Sequence, residues 1–228
     1  MSTVLITGAN RGIGLEMAKL YASRGDTVIG CCRNPAQADA LVAIGDAVEV
    51  MQTDVSDAAS VQALADALSG RRIDLVINNA GVMYPEPAKQ SVLDMDFAAW
   101  AGNFEVNAMG PVRILQALIT NMQASDNAKL VTITSQMGAL SLDMPFAYAY
   151  CTSKAALNKF MKMAAPELAQ KGVLSCVIHP GWVQTDMGGA GADITPAESA
   201  AGIVETIDGL NADNNGSFLK WNGETHDW

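Results

Sequence analysis

A tyrosine and a lysine one helical turn apart are the first side chains in the sequence whose spacing indicates chemistry. In the stretch YAYCTSKAAL, residues 148–157, Lys154 lies four positions after Tyr150, whereas Thr152 lies four positions after Tyr148. If the stretch is helical, Tyr150 and Lys154 share a face, while Tyr148 points elsewhere. An ammonium group near a phenol stabilises the phenolate and lowers the pKa of the tyrosine, ordinarily about 10. The pair therefore predicts acid–base chemistry at Tyr150.

A glycine-rich turn near the N-terminus predicts a place for a dinucleotide. TGANRGIG, with the spacing G-x-x-x-G-x-G, stands between an apolar strand and an amphipathic helix. Such a turn lets the backbone approach a pyrophosphate at a helix N-terminus, where free N–H groups and the dipole favour anions. A P-loop is excluded because no Gly-Lys-Ser/Thr follows. The residues of the turn to which we assign cofactor contacts are Gly8, Asn10, Arg11, Gly12, Ile13 and Gly14.

The residues after the second predicted strand indicate which dinucleotide is bound. A turn that prefers NAD usually has an acid about 20 residues on, which binds the ribose 2′-hydroxyl. Here the strand ends in GCCRNP, with Arg33 and no acid, and a second arginine, Arg11, lies in the glycine turn. Two guanidinium groups suit a 2′-phosphate through charge-assisted, bidentate hydrogen bonds. We predict NADP(H) in preference to NAD(H), with ordinary surface arginines as the alternative.

The elements that must position these groups follow from short apolar runs rich in Val and Ile. These runs do not alternate cleanly, as expected for strands buried on both faces of a parallel sheet. The predicted strands are residues 3–7, 27–32, 48–53, 73–78, 129–134, 173–179 and 216–221. Helical patterns lie between them, for example 12–24 and 57–68, the second with Ser56 as its N-cap. The alternation predicts one α/β domain over residues 1–228, a Rossmann fold whose doubly wound parallel sheet has about seven strands and helices on both faces.

Three interruptions are predicted in the later part of the chain. Pro111, after Gly110, and Pro166 should each kink or end a helix. The glycine-rich segment 186–199 is typical of a mobile surface loop, and we assign it to the substrate side of the site.

Composition narrows the classes of partner. Lys plus Arg total 14 and Asp plus Glu total 24, a net charge of −10, which argues against nucleic acid or an anionic membrane as the main partner. The chain begins without a basic leader, and no apolar run approaches the roughly 20 residues of a membrane span, so we predict a soluble, cytoplasmic protein. No C-x-x-C spacing indicates a metal site, and we interpret all four cysteines as packing thiols: Cys31, Cys32, Cys151 and Cys176.

These motifs, in this order, resemble the short-chain dehydrogenase/reductase family over essentially the whole chain. The resemblance is carried by the glycine turn, NNAG at residues 78–81 and Tyr150-x-x-x-Lys154. Three sequence segments are most similar to the Sniffer and C-factor-like carbonyl reductase branch: CRNP, HPGWVQTDMGG and NGSFLKWNGETHDW. The resemblance implies an NADPH-dependent oxidoreductase that transfers hydride between nicotinamide and a small carbonyl or secondary alcohol substrate. It also implies a homodimer or homotetramer.

The resemblance further implies a role for each matching residue. The catalytic set, with Tyr150 as general acid/base and Asn107 holding a water next to Lys154, is Asn107, Ser135, Tyr150 and Lys154. Residues matching the adenosine side are Asp54, Val55, Asn79, Ala80 and Gly81. Residues matching the nicotinamide side are Tyr150, Lys154, Pro180, Gly181, Val183 and Thr185. Apolar side chains near this predicted cleft, which indicate an adaptable apolar pocket or ordinary core, are Met83, Met137, Met144, Phe146, Trp182 and Met187.

Two other functions compete with this prediction. An α/β hydrolase would need G-x-S-x-G and a triad histidine, but the pentapeptide is absent and the two histidines are His179 and His226. We interpret His179, before Pro180 at a strand end, as structural. A catalytically weak NADP(H)-binding sensor of the same fold remains the alternative, because fold does not fix function.

Overall fold

Seven parallel strands form one sheet at the centre of the computed structural model, which describes residues 1–228 except for the side chain of Ala88. The strands are β1 (Thr3–Thr7), β2 (Thr27–Cys32), β3 (Val48–Gln52), β4 (Leu75–Asn78), β5 (Ala128–Ile133), β6 (Val173–His179) and β7 (Phe218–Lys220). Their order across the sheet is β3-β2-β1-β4-β5-β6-β7, so the chain reverses its direction of travel between β1 and β4. The carboxyl ends of these two strands border the crevice where open α/β sheets bind ligands.

Helices cover both faces of the sheet. They are α1 (Gly12–Ser23), α2 (Asp39–Val42), α3 (Ala58–Ala67), α4 (Phe97–Phe104), α5 (Gly110–Gln123), α6 (Tyr148–Gln170) and α7 (Pro196–Asp208). Successive side chains of a strand point to opposite faces. Accordingly Val4 of β1 packs in the same core cluster as Ile203 of α7, whereas Leu5 packs with Leu118 of α5. The predicted Rossmann fold, with its doubly wound sheet, is therefore confirmed.

The N-cap predicted for the helix after β3 is wrong by one residue. Asp57 caps α3, and its side chain accepts a hydrogen bond from the backbone N–H of Ala59. Ser56 is already engaged, because its backbone N–H and its hydroxyl both donate to Asp54, at 2.9 and 2.6 Å. This leaves the side chain of Asp57 to satisfy the open end of the helix.

The two prolines do not end their helices. Helical backbone runs from α4 through a π-helical turn, Glu105–Met109, into α5, where Pro111 lies in the first turn. The N–H that Pro111 lacks falls next to the π-helical turn, where the regular hydrogen-bond pattern of the α-helix is already interrupted. Pro166 lies inside α6, which continues to Gln170. The structure therefore excludes one of its two predicted effects, the end of the helix at Pro166.

The last four residues of the predicted 186–199 loop are helical. They form the first turn of α7, which a capping box fixes: Thr195 Oγ1 accepts from the Glu198 N–H at 3.2 Å, and the Glu198 carboxylate accepts from the Thr195 N–H at 2.8 Å. In the part of the chain that the structure describes, no helix combines the length and the apolar character needed to cross a membrane.

Candidate active site

The glycine turn between β1 and α1 leaves the N-terminus of α1 open to an anion. Arg11, at the N-cap, provides no side-chain cap, and the first turn contains no acidic residue. Gly8 and Gly12 have positive φ angles of 66° and 55°, which favour glycine. A Cβ atom on Gly14 would collide with the carbonyl oxygen of Gly8 and the side-chain amide of Asn79. The turn is thus tight, with backbone at its surface, and fits a pyrophosphate.

Asn79 ties the glycine turn to the end of β4. Its side-chain amide donates to the carbonyl oxygens of Thr7 and Gly8, at 3.0 and 3.1 Å. The hydroxyl of Thr7 in turn accepts from the backbone N–H groups of Asn79 and Ala80, at 3.0 and 3.1 Å. The predicted NNAG residues therefore lie against the glycine turn, at the point where the strand order reverses.

The carboxyl ends of β2 and β3 place Arg33 near Asp54. Partial burial acts to raise the pKa of Asp54, yet hydrogen bonds from Ser56 and the charge of Arg33 bring this pKa below its ordinary value. Arg33 itself is exposed, whereas Val55 is buried and packs on Gly110, where a Cβ would lie 2.9 Å from Val55 Cγ2. An exposed guanidinium beside an ionised carboxylate and a fixed apolar side chain can bind the adenosine end of a dinucleotide.

The second predicted arginine has a different partner. Arg11 forms an ion pair with Asp186, the first residue of the segment 186–199 that the sequence assigned to the substrate side and not to the cofactor. The two side chains are 66% and 78% exposed, so water screens their attraction. Arg11 and Arg33 follow the carboxyl ends of β1 and β2. These two ends are neighbours in the sheet, where the N–H of Ala9 donates to the Cys31 carbonyl at 3.1 Å. The structure does not direct both arginines at one point.

The segment after β6 approaches the glycine turn from the other side. A Cβ on Gly12 would lie 3.3 Å from Thr185 Cγ2. The hydroxyl of Thr185 accepts from the N–H of Gly188 at 3.1 Å, and Val183 is buried beside Ile194 in an isolated bridge. The start of the segment is held through Pro180 and a left-handed glycine: the Ser199 hydroxyl donates to the Pro180 carbonyl at 2.6 Å, and Gly181 has a φ of 88°.

Tyr150 and Lys154 share a buried face of α6, as their spacing predicts. They are 7% and 4% exposed, and Lys154 Nζ lies 5.8 Å from the centre of the phenol ring. The ammonium donates to the Ile133 carbonyl at 2.9 Å. Tyr148 is only half-buried. The turn after β5 packs closely on this face at Gly138, where a Cβ atom would overlap the backbone of Lys154.

The electrostatics of this pair differ from the sequence prediction. Burial raises the pKa of Tyr150 to about 12, although the hydroxyl of Ser135 acts to lower it. Burial also lowers the pKa of Lys154 to about 8. The expected lowering of the Tyr150 pKa by Lys154 is therefore absent in the chain alone, because desolvation disfavours the charged form of both groups.

Asn107 holds α6 against the segment after β4. Its side-chain oxygen accepts from the Val82 N–H at 2.8 Å, and its amide donates to the Val82 carbonyl at 2.8 Å and to Ser153 Oγ at 3.0 Å. Ser153 donates onward to the Tyr150 carbonyl at 2.7 Å. Asn107 lies in the π-helical turn, a distortion that is frequent at functional sites.

One glycine marks the point where these groups converge. A Cβ on Gly81 would lie 3.5 Å from Asn107 Oδ1 and 3.7 Å from Lys154 Nζ. The site thus joins the ends of β4 and β5, the π-helical turn and α6.

Sequence reasoning missed Gln90, which caps α6 from a distant segment. The N-cap of α6, Ala147, has a φ of 51° and no capping side chain. Gln90 supplies the missing acceptor, since its side-chain oxygen accepts from the Ala149 N–H at 2.9 Å. The sequence signal for Gln90 was indirect: PFAYAY places no Ser, Thr, Asp or Asn before the predicted helix, so the cap of this helix had to come from elsewhere. Sequence reasoning missed Ser153 as well.

Comparisons with known proteins identify the family of this chain. The short chain dehydrogenase family model matches residues 2–193. The chain is 37% identical to C-signal of Myxococcus xanthus over 157 residues, 68% of this chain and 93% of that protein. It is 34% identical to 1-hydroxy-2-glutathionyl-2-methyl-3-butene dehydrogenase of Rhodococcus sp. (strain AD45) over 235 residues, 100% of both chains. The solved structure of NADPH-bound carbonyl reductase from chicken fatty liver has a TM-score of 0.92 and 28% identity, covering 100% of this chain and 99% of that one.

Proposed function

The chain belongs to the short-chain dehydrogenase/reductase family and is an oxidoreductase, and we propose that it transfers hydride between NADP(H) and a small carbonyl compound or secondary alcohol. The observation that carries the proposal is the meeting of Tyr150, Lys154 and Ser135 at the carboxyl edge of the sheet, beside an uncapped helix N-terminus. A nucleotide sensor would need only the second of these features.

The cofactor would lie across the crevice between β1 and β4. The glycine turn and the open end of α1 suit its pyrophosphate, and Asp54 and Val55 suit the adenine. Arg33, exposed and held near Asp54, suits a 2′-phosphate. Pro180, Gly181, Val183 and Thr185 suit the nicotinamide end. Two relatives with bound NADP(H) support the choice of NADP(H), the carbonyl reductase of chicken fatty liver and a short-chain dehydrogenase/reductase of Burkholderia multivorans.

When bound, NADP(H) supplies or accepts the hydride. Tyr150 moves the proton: in reduction its hydroxyl donates a proton to the carbonyl oxygen, and in oxidation it accepts one from the alcohol. Ser135, whose hydroxyl lies near the phenol, can donate a hydrogen bond to the same oxygen. Lys154 provides positive charge below the phenol, and Asn107 keeps the helix in place.

Apolar side chains at the mouth of the site suit an apolar substrate. Phe146, Trp182 and Met187 are 43%, 51% and 41% exposed, and they lie on the segments that follow β5 and β6. Exposed apolar side chains that are grouped beside a cleft commonly mark a binding surface. We propose a carbonyl compound with apolar substituents.

The test compares two tyrosines of the same helix. With purified protein, NADPH oxidation is measured against ketones, aldehydes and diketones for wild type, Tyr150→Phe and Tyr148→Phe. We expect Tyr150→Phe to lower kcat by about 10²–10⁴ with unchanged NADPH binding, and Tyr148→Phe to lie within about twofold of wild type. If wild type binds NADPH but turns over nothing, the sensor alternative holds. If Tyr150→Phe retains full turnover, the role of Tyr150 is wrong.

A further inference from the structure

A buried histidine accepts a hydrogen bond from the residue next to Ser135. The backbone N–H of Gln136 donates to Nδ1 of His179 at 3.2 Å. His179 is the last residue of β6, is 8% exposed, and directly precedes the Pro180–Thr185 segment. One side chain thus joins the turn that carries Ser135 to the segment assigned to the nicotinamide.

The chemistry of this contact requires a neutral imidazole. A backbone N–H can only donate, so Nδ1 must keep its lone pair and the ring proton must be on Nε2. The surroundings of the ring enforce this state. Burial, the neighbouring ring of His226 and the charge of Lys220 lower the pKa of His179 to about 4. The acceptor is therefore present throughout the neutral pH range, and His179 is a poor general base.

The turn after β5 is held at several points, one of which is His179. The hydroxyl of Ser135 accepts from the Met137 N–H at 3.1 Å, which closes the short turn Gln136–Gly138. Gly138 packs directly on the backbone of α6 at Lys154. Between Ser135 and Gly138, the Gln136 N–H is bound only through the imidazole among the contacts that the structure describes. Removing that acceptor leaves the Gln136 N–H without its partner, directly next to Ser135.

We propose that His179 is a positioning residue for Ser135, and that it couples this serine to the cofactor segment through the N–H of Gln136. The inference rests on the proposed function. A small displacement of a reacting group lowers the rate steeply, because catalysis depends on alignment. The side chain acts through position and not through proton transfer.

Two substitutions whose side chains share the same branched skeleton of four heavy atoms separate the acceptor from the shape of the side chain. Asn places its carbonyl oxygen where Nδ1 lies, whereas Leu places a methyl group there. We expect His179→Asn to keep kcat within about threefold of wild type, and His179→Leu to lower kcat on the order of tenfold, as for one lost buried hydrogen bond. NADPH affinity stays unchanged in both. His226→Asn, a change of the other histidine, should leave kcat unchanged.

A double substitution tests whether the effect passes through Ser135. In a Ser135→Ala background, His179→Leu should cause no further loss of kcat, because the group that it positions is already missing. If His179→Leu does not fold, Gln136→Pro removes the donor instead; Ser135 has φ −156° and ψ 147°, the extended backbone that a residue before proline prefers. That variant should also lose about tenfold in kcat.

The inference is overturned if Asn and Leu at position 179 lower kcat equally, if neither lowers it, or if the loss persists in the Ser135→Ala background. Each of these results is obtained with a wild-type enzyme that turns over substrate, so the proposed function would stand. An inactive wild type would instead contradict the proposed function itself.

Discussion

Replacing Lys154 by methionine should make the protein more stable and less active. Lys154 is 4% exposed, and its ammonium has one hydrogen bond, to the Ile133 carbonyl, and no carboxylate partner among its described contacts. A buried charge with so little compensation destabilises the fold. Methionine has a similar length and no charge, so Lys154→Met removes this penalty together with the positive charge that we propose acts beside the phenol.

The magnitude follows from the pKa of Lys154, which falls from an ordinary 10.5 to about 8. At about 1.4 kcal/mol for each pKa unit, burial of the ammonium costs about 3 kcal/mol when the folded and unfolded states are both protonated. Loss of the hydrogen bond to Ile133 offsets about 1 kcal/mol. We therefore expect Lys154→Met to raise the free energy of unfolding at pH 7 by about 2 kcal/mol, or the Tm by about 4–8 °C.

The sign of the pH dependence distinguishes this cause from better packing. Between pH 8 and 10.5 the unfolded chain binds the Lys154 proton more tightly than the folded protein, so the stability contribution of Lys154 rises with pH. The advantage of Lys154→Met should accordingly shrink by about 2 kcal/mol between pH 7 and pH 9.5. Comparing variant with wild type at each pH cancels the opposite effects of Tyr150 and the buried cysteines, whose raised pKa values lower stability at alkaline pH.

Urea unfolding at pH 7 and pH 9.5 measures the difference, with Lys159→Met as control. Lys159 is exposed on the same helix, and its substitution should change the free energy of unfolding by less than about 0.5 kcal/mol at either pH. The turnover of Lys154→Met should fall at least about 100-fold. A variant that is less stable than wild type at pH 7, or whose advantage does not change with pH, would refute the reasoning.

Three further predictions concern the cofactor. Gly14→Ala should weaken NADPH binding at least about tenfold and lower the Tm by several degrees, because its Cβ collides with backbone, whereas Gly191→Ala, in open space, should do neither; equal effects would contradict the tight turn. Asp186→Asn should release Arg11 and raise NADPH affinity by up to about fivefold in a fluorescence titration without affecting NADH, and a weaker NADPH affinity would show that the pair aids binding. Arg33→Ala should reduce the NADPH/NADH preference at least about tenfold in kcat/KM, and an unchanged ratio would exclude a 2′-phosphate contact.

Local spacing predicted the pair on α6 because a helix fixes which residues share a face. Four residues separate Tyr150 from Lys154 in any α-helix, so the contact needed no knowledge of the fold. The strands were equally readable, since β1 and β6 are buried on both faces and consist mostly of apolar residues without alternation. What the sequence did not reveal is burial around the pair. The raised pKa of Tyr150 depends on segments that fold over it from β4, β5 and the π-helical turn.

Contacts between distant segments account for the other differences. Asp57 and not Ser56 caps α3, because Ser56 is hydrogen-bonded to Asp54. Gln90 caps α6 although it lies far from that helix in the sequence. Pro166 does not end α6, because the buried face of this helix continues past it to Leu168 and tertiary packing outweighs one lost hydrogen bond. Each such choice depends on a partner that lies close only after folding.

The order in which the two buried groups lose their protons bears on the direction of catalysis. With pKa values of about 8 for Lys154 and about 12 for Tyr150, the amine titrates first, and the phenol of the chain alone stays protonated at neutral pH. Such a phenol is ready to donate a proton to a carbonyl oxygen, as reduction requires. To act as a base in oxidation it must first be made acidic, which needs positive charge beyond that of Lys154. An oxidised nicotinamide beside the phenol would bring that charge, so binding of the oxidised cofactor should enable the reverse reaction.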